Sequence, residues 1–580
     1  MSTTALPAEA SRPWRARLRF DASPVQVGAA LLVLAFLLAF LLVPVGRVFL
    51  AAFTDGEGNL TLVHFADFFR TSLFRESFLN SLYVAAMSVV VASVLAVPLA
   101  VIVSRFRFPG AALVSTLGVL PLVMPPFVGA VAMQLVFGRN GSLNLLLMDW
   151  FGIRLDLMEG LNGVVFVQAL HYFPFILMNL SASLSNIDTA MEEAGQNLGA
   201  RGFTLLRTIV LPLALPGYLA GASLVFVKVF DDLATPLLLN VTNMLAPQAY
   251  LRVTSVGLGD PMGYVIGVIL VVVSIFAMGG AALLLRGRDY SMQQRGGGGL
   301  GRREMSPGQR ALAWAFVVPT LLLVLAPHLG IALLSLATVW SFSPLPDAYT
   351  LTHFATVLRE TPQFLTNTLL YCGLAGLMDV VLGVTIAWLV LRTRLPGRRL
   401  LDMLAMSALA VPGLVLGIGI LRSYFGVQLP DGTALATSWI MLTIVYAVRR
   451  LPYALRAATA ALQQVHRSLE EAAENVGAGK LTTLTHIVIP LMAGGLAAAF
   501  VTSFATAAVE LSATLVLATR DVDAPLSYGI YVFMQSPAGR GAGAALGVIA
   551  VVTVAVCTFA ANRLAERERR RRTRQDGTGA

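Results

Sequence analysis

The chain has 580 residues, of which 57% are hydrophobic and 12% charged, with a mean hydropathy of +0.77 and a formal net charge of +10. That balance excludes an ordinary water-soluble domain and indicates a polytopic membrane protein.

In chain order, the sequence opens on a basic tail, residues 1–25, with Arg12, Arg15, Arg17 and Arg19. Six apolar runs follow at 26–50, 80–104, 112–137, 160–184, 214–240 and 263–286. Each is long enough to cross a bilayer as helix, which takes about 20 residues. The first far exceeds the apolar core of a cleavable leader and reads as a retained helix. Residues 287–309, including RGGGGLGRRE, are Gly- and Arg-rich with no apolar stripe, and read as a flexible cytoplasmic linker. Six more runs occupy 310–337, 367–391, 400–424, 435–459, 492–518 and 540–563, before a second basic tail at 564–580. The expectation is an all-α protein of about twelve transmembrane helices, in two six-helix domains at 26–286 and 310–563. No alternating ten-residue strands occur, which argues against an outer-membrane barrel.

Charge orients these spans. Of the 41 Lys and Arg residues, 30 fall on one set of alternating connections and tails and 10 on the other, with Lys228 read as inside a span. Positive residues favour the inside, so both termini are placed in the cytoplasm. The basic tails read as orientation signals resting on anionic membrane lipid, not as nucleic-acid contacts. Cys372 and Cys557 lie in separate spans and the six histidines lack paired-ligand spacing, so neither a disulfide framework nor a metal site is expected.

One cytoplasmic pattern occurs twice, 278 residues apart: MEEAGQNLGARGFTLLRTIVLP from Met191 and LEEAAENVGAGKLTTLTHIVIP from Leu469. The duplication extends further. HFADFF from His64 is echoed by HFATVL from His353, Asn80 by Asn367, Phe108-Pro109-Gly110 by Leu395-Pro396-Gly397, and Met124-Pro125 by Val411-Pro412 at an offset of 287. Repeats set architecture, and here they predict two parallel halves fused in one polypeptide. In each loop, Met191, Ala194 and Leu198, or Leu469, Ala472 and Val476, fall on one apolar helical face. The polar face carries Glu192 and Glu193, or Glu470 and Glu471. Gly199 and Gly477 are placed to end the helix in a left-handed turn. A small alanine beside a surface glutamate makes a docking surface for a partner, in duplicate.

Charges inside spans are the other candidates, since holding them in lipid is costly. Lys228, Asp231 and Asp232 lie within about one helical turn, which allows a local ion pair at i,i+3 or i,i+4. Glu510 matches Asp232 in the second half, while Thr506 and Val509 stand at the positions of Lys228 and Asp231. These four ionisable residues are candidates for a translocation pathway or gate, with a polar helix clamp as the alternative.

The Glu-Ala-Ala/Gly pattern, with glycine six residues after the glutamate and a later hydrophobic-x-x-Pro, resembles the cytoplasmic loop of binding-protein-dependent ABC importer permeases. The fused format and Phe230-Asp231-Asp232-Leu233-Ala234-Thr235-Pro236 resemble the ferric-iron-type permeases, a group close to those for 2-aminoethylphosphonate, thiamine, sulfate and polyamines. The resemblance implies a bacterial inner-membrane transport subunit with no catalytic residues and no cofactor of its own. It also implies two copies of a cytoplasmic ATPase on the loops and an external solute-binding protein. The sequence agrees: Glu474-Asn-Val-Gly477-Ala-Gly479-Lys480-Leu481 fails the phosphate-loop pattern at its first position and after the lysine. A secondary transporter would need no docking loops, and an exporter would need far longer cytoplasmic helices than connections of about 30 residues provide.

Overall fold

A computed structural model describes residues 23–285 and 303–577. Both halves begin on the same local device. Ser23 and Ser306 each cap a helix with Pro at its first position and close a capping box with Gln26 and Gln309. A serine oxygen satisfies one orphan helical N–H while the glutamine returns a bond to the cap, so the first helices start at Pro24 and Pro307. Those starts lie two or three residues ahead of the apolar runs, because capping residues are polar.

Nine helices among the described residues are long and apolar enough to span a membrane. A tenth span is the pair Ala111–Val123 and Pro126–Phe151, bent by 104° at the Met124-Pro125 break. The expected runs at 400–424 and 435–459 are helical too, as Arg398–Ser407, Gly413–Tyr424 and Trp439–Gln464. The first is broken at Val411-Pro412 and so is short, and the second carries arginines at 449, 450 and 456. Arg449 and Arg450, assigned above to the cytoplasmic tally, are in fact buried midway along Trp439–Gln464. The positive bias survives without them.

Each half is built on the same packing. Helix Ser72–Arg105 lies against Gly160–Ser185 and Leu211–Phe230, and Pro362–Arg392 lies against Trp439–Gln464 and Ile489–Ala508. The duplicated polar residues make duplicated bonds. His64 bonds the Thr54 carbonyl at 3.1 Å and His353 the Ala337 carbonyl at 3.0 Å. Asn80 donates to the Asn243 carbonyl and Asn367 to those of Val522 and Ala524. The halves then exchange their first helices: Val43–Phe53 packs on Gly413–Tyr424, and Pro307–Leu336 on Pro126–Phe137.

Most of the expected linker, and all of the basic tail except residues 23–25, lie outside the described residues. In the linker's last part, Arg303–Glu304 pairs in parallel with Phe106–Arg107. The second tail continues the helix Arg540–Gly577.

Candidate functional site

A cavity of about 290 Å³ lies between the halves and is lined by Lys228, Asp231, Asp232, Arg449, Arg450 and Glu510. The four predicted pathway residues thus come together, with two arginines that the sequence reading did not single out. Glu510 accepts from Arg449 Nη1 and from Arg450 Nη2, both at 2.5 Å, and all three side chains are at least nine-tenths buried. Arg449 also reaches Asp231 of the first half, Nη2 to Oδ2 at 3.6 Å, the one ion pair joining the halves among the described residues. The expected local pair of Lys228 with Asp231 or Asp232 is not formed; Lys228 has no carboxylate within 4.0 Å among the described residues. Helical spacing permits that pair, but Arg449 takes Asp231 instead.

Asp232 and Glu510 share a local duty. Asp232 accepts from the Thr235 backbone N–H at 3.1 Å and Glu510 from that of Ala513 at 3.4 Å. Each carboxylate, one residue ahead of the N-cap, therefore takes up a first-turn N–H of the short helix that follows, Ala234–Leu238 or Ser512–Leu517. Beyond this the halves diverge. Asp232 is completed by the Gln168 amide, whereas Glu510 is completed by two guanidinium groups. By the 278-residue offset, Arg449 and Arg450 stand where the first half has His171 and Tyr172, which line the same cavity. Room for the Arg449 guanidinium comes from Gly413, where a Cβ would overlap Nη1. The signal available in the sequence was the Arg449-Arg450 pair within an apolar run.

The repeated loops form helices Thr189–Asn197 and Arg467–Asn475. Both end as expected, with Gly199 at φ +91° and Gly477 at φ +89°. Glu193, Ala194, Glu471 and Ala472 are exposed. Leu198 and Val476 are 90% and 85% exposed, with Phe203 and Leu481 beside them at 72% and 63%. No described part of the chain covers this apolar face. Glu192 and Glu470 depart from expectation: they turn inward onto Arg105 and Arg392 and are not part of the outer surface. The spacing put both glutamates of each pair on a polar face, but adjacent helical residues are about 100° apart, and only the second faces out. Gly195, where the second loop has Ala473, is explained by Ile209, whose Cδ1 a Cβ at this position would strike.

The sequence model of the family described as "Binding-protein-dependent transport system inner membrane component" matches the chain twice, over residues 92–290 and 379–571. The chain is 26% identical over 519 residues to the ferric transport system permease protein FbpB of Actinobacillus pleuropneumoniae, covering 87% of this chain and 73% of that protein. A Haemophilus influenzae protein named as a ferric transport system permease, FbpB 1, is 26% identical over 513 residues, 85% of this chain and 78% of that one. The molybdenum transport system permease protein ModB of Escherichia coli K12 is 33% identical over 153 residues, 26% of this chain and 66% of that protein.

Proposed function

The chain belongs to the binding-protein-dependent transport system inner-membrane component family, and from that membership we propose how it imports its solute, which we take to be ferric iron. It is a multi-pass inner-membrane permease of an ABC importer, with both permease halves in one polypeptide. In this reading an external binding protein delivers iron to the cavity between the halves. Two copies of a cytoplasmic ATPase seat on the loops around Glu193, Ala194 and Gly199 and around Glu471, Ala472 and Gly477. Both termini are cytoplasmic, the ATPase pair supplies the chemistry of ATP hydrolysis, and the permease rocks its halves about the cavity that holds Lys228, Asp231, Asp232 and Glu510.

The observation that carries the reading is the duplicated apolar tip. Leu198 and Val476 are the most exposed large apolar side chains of their loops, each five residues after an exposed glutamate. Singly exposed apolar residues are ordinary; the same ones exposed at the same offset in two halves fit one partner surface used twice. The test is Glu193→Ala together with Glu471→Ala, in proteoliposomes containing the ATPase and the binding protein. Membrane insertion should persist while ATPase co-purification and ATP-driven iron uptake fall, with single variants milder. Unimpaired co-purification and uptake in the double variant would refute it.

A second solute reading has its own observation. Lys228 presents an ammonium group to the cavity without a carboxylate partner among the described residues, which suits an oxyanion such as molybdate or a phosphonate. Uptake of iron against molybdate and phosphonate in the same vesicles separates the two.

A further inference from the structure

Glu192 and Glu470 occupy equivalent positions in the two loops, and the arginines they meet are equivalent too. Arg105 and Arg392 are separated by the same 287 residues that relate the Pro-Gly turns following them. Each arginine is the last residue of the second long helix of its half, Ser72–Arg105 or Pro362–Arg392. Each glutamate lies in the first turn of the docking helix. The side chains are 11% and 10% exposed in the first pair, 14% and 16% in the second. The neighbouring ion pair on the second loop is not like this: Arg467 and Glu471 are 69% and 63% exposed at 3.5 Å.

We propose that Arg105–Glu192 and Arg392–Glu470 are the couplers that carry movement of the docking helices into the membrane helices. The proposal rests on the permease reading. A docking helix of nine residues is too short to hold its shape or place by itself. Its outer side is left for the partner, so thrust received there passes on through the chain at its ends and through its inner side. That inner side offers two attachments. One is packing of Gly195 or Ala473 on the following segment, which belongs to the same loop and moves with it. The other is the buried ion pair, the link from the loop to a helix distant in sequence.

The second pair shows how the link is made stiff. Arg392 Nε donates to Glu470 at 2.5 Å, and its Nη2 donates to the Leu462 and Val465 carbonyls at 3.2 and 2.7 Å. Those carbonyls lie at the C-terminal end of Trp439–Gln464, where a cation is favoured, while Glu470 sits at a helix start, where an anion is favoured. One planar guanidinium thereby ties three helix ends together with directional bonds. A buried charge that loses its partner is costly, so the pair resists sliding and transmits displacement. Arg105 and Glu192 also border a cavity with Glu304, on the strand that pairs with Phe106–Arg107, so the first coupler abuts the segment joining the halves. These are positioning residues: they act through the helices they join and touch neither solute nor nucleotide.

The test uses the full chain reconstituted with its ATPase and binding protein, comparing wild type, Glu192→Gln with Glu470→Gln, and a version with both pairs reversed (Arg105→Glu, Glu192→Arg, Arg392→Glu, Glu470→Arg). The glutamine variant should keep the ATPase bound and hydrolysing, while solute imported per ATP falls about tenfold, a typical coupling loss. The reversed version rebuilds both charge pairs and should recover part of the lost yield, since it opposes the helix dipoles and gives up the donation to the Leu462 and Val465 carbonyls but restores the glutamate–arginine contact. Loss of ATPase co-purification in the glutamine variant would instead make these residues docking contacts and overturn the proposal, as would an unchanged yield per ATP. If the glutamine variant fails to fold and insert into the membrane at all, the reversed version decides alone. Recovery supports the coupler, and continued deficit or non-assembly reduces the pairs to a folding role. Absence of ATP-driven uptake by wild type for every solute tried would count against the permease reading, not against the coupler.

Discussion

Glu510 holds two arginines and a helix start at once, while its equivalent Asp232 holds an amide and a helix start. The two carboxylates therefore differ sharply in what their loss exposes. Glu510→Gln leaves Arg449 and Arg450 to share one neutral oxygen, and stranding a buried charge in this way costs about 3–5 kcal/mol. Asp232→Asn keeps an acceptor for Gln168 and Thr235, and weakening charge-assisted bonds costs about 1–2 kcal/mol. Thermal unfolding in detergent should rank Glu510→Gln well below Asp232→Asn, and equal losses would contradict the arrangement. The same contrast shows what the sequence made legible. The match of Asp232 to Glu510 was readable from the offset, and both do accept from a first-turn N–H of the helix that follows. Their partners were not readable, because Arg449 lies 61 residues from Glu510 and more than 200 from Asp231, distances that only helix packing closes.

At the scale of elements, the breaks at Met124-Pro125 and Val411-Pro412 decide where the cavity forms. Proline ends helical hydrogen bonding, and the chain restarts as Pro126–Phe137 or Gly413–Tyr424 at a new angle. In the second half that restart must pass close to Arg449, and only glycine fits. Gly413→Ala should cost about 1–3 kcal/mol by overpacking and disturb the Arg449–Glu510 pair. Gly373→Ala, in the middle of Pro362–Arg392 with nothing within 4 Å of its added Cβ, should be neutral or gain up to about 1 kcal/mol of helix propensity. Melting temperatures of the two variants check this, and a Gly413→Ala protein as stable as the Gly373→Ala one would show that the close approach is not needed. Helix positions were largely legible from apolar runs. Their ends were less so, because caps such as Ser23-Pro24 and Ser306-Pro307 are polar and lie outside the run that they start. The inward turn of Glu192 and Glu470 was hidden for a related reason: nothing in a nine-residue polar helix says which side meets the arginine of a distant span.

At the scale of the whole molecule, the exchange of first helices means that neither half completes its packing alone, so orientation is a property of the pair. We propose that both halves cross the membrane in the same sense, with the duplicated loops and the duplicated helix starts on one side. In the proposed orientation that side is the cytoplasm, because the connections at 105–111, 185–213 and 392–399 carry basic residues, which favour the inside. Cysteine labelling tests the assignment at four exposed positions in a protein whose Cys372 and Cys557 have been replaced by alanine. Asn140→Cys and Gly259→Cys, in connections on the opposite side, should react with an impermeant thiol reagent in intact spheroplasts. Asn197→Cys and Asn475→Cys, at the ends of the docking helices, should react only after the membrane is opened. These two sites avoid the left-handed Gly199 and Gly477, so failure to label cannot be laid to backbone strain. Labelling of position 197 or 475 from outside would invert the topology, place the apolar tips Leu198 and Val476 away from any ATPase, and remove the physical basis for reading them as docking surfaces.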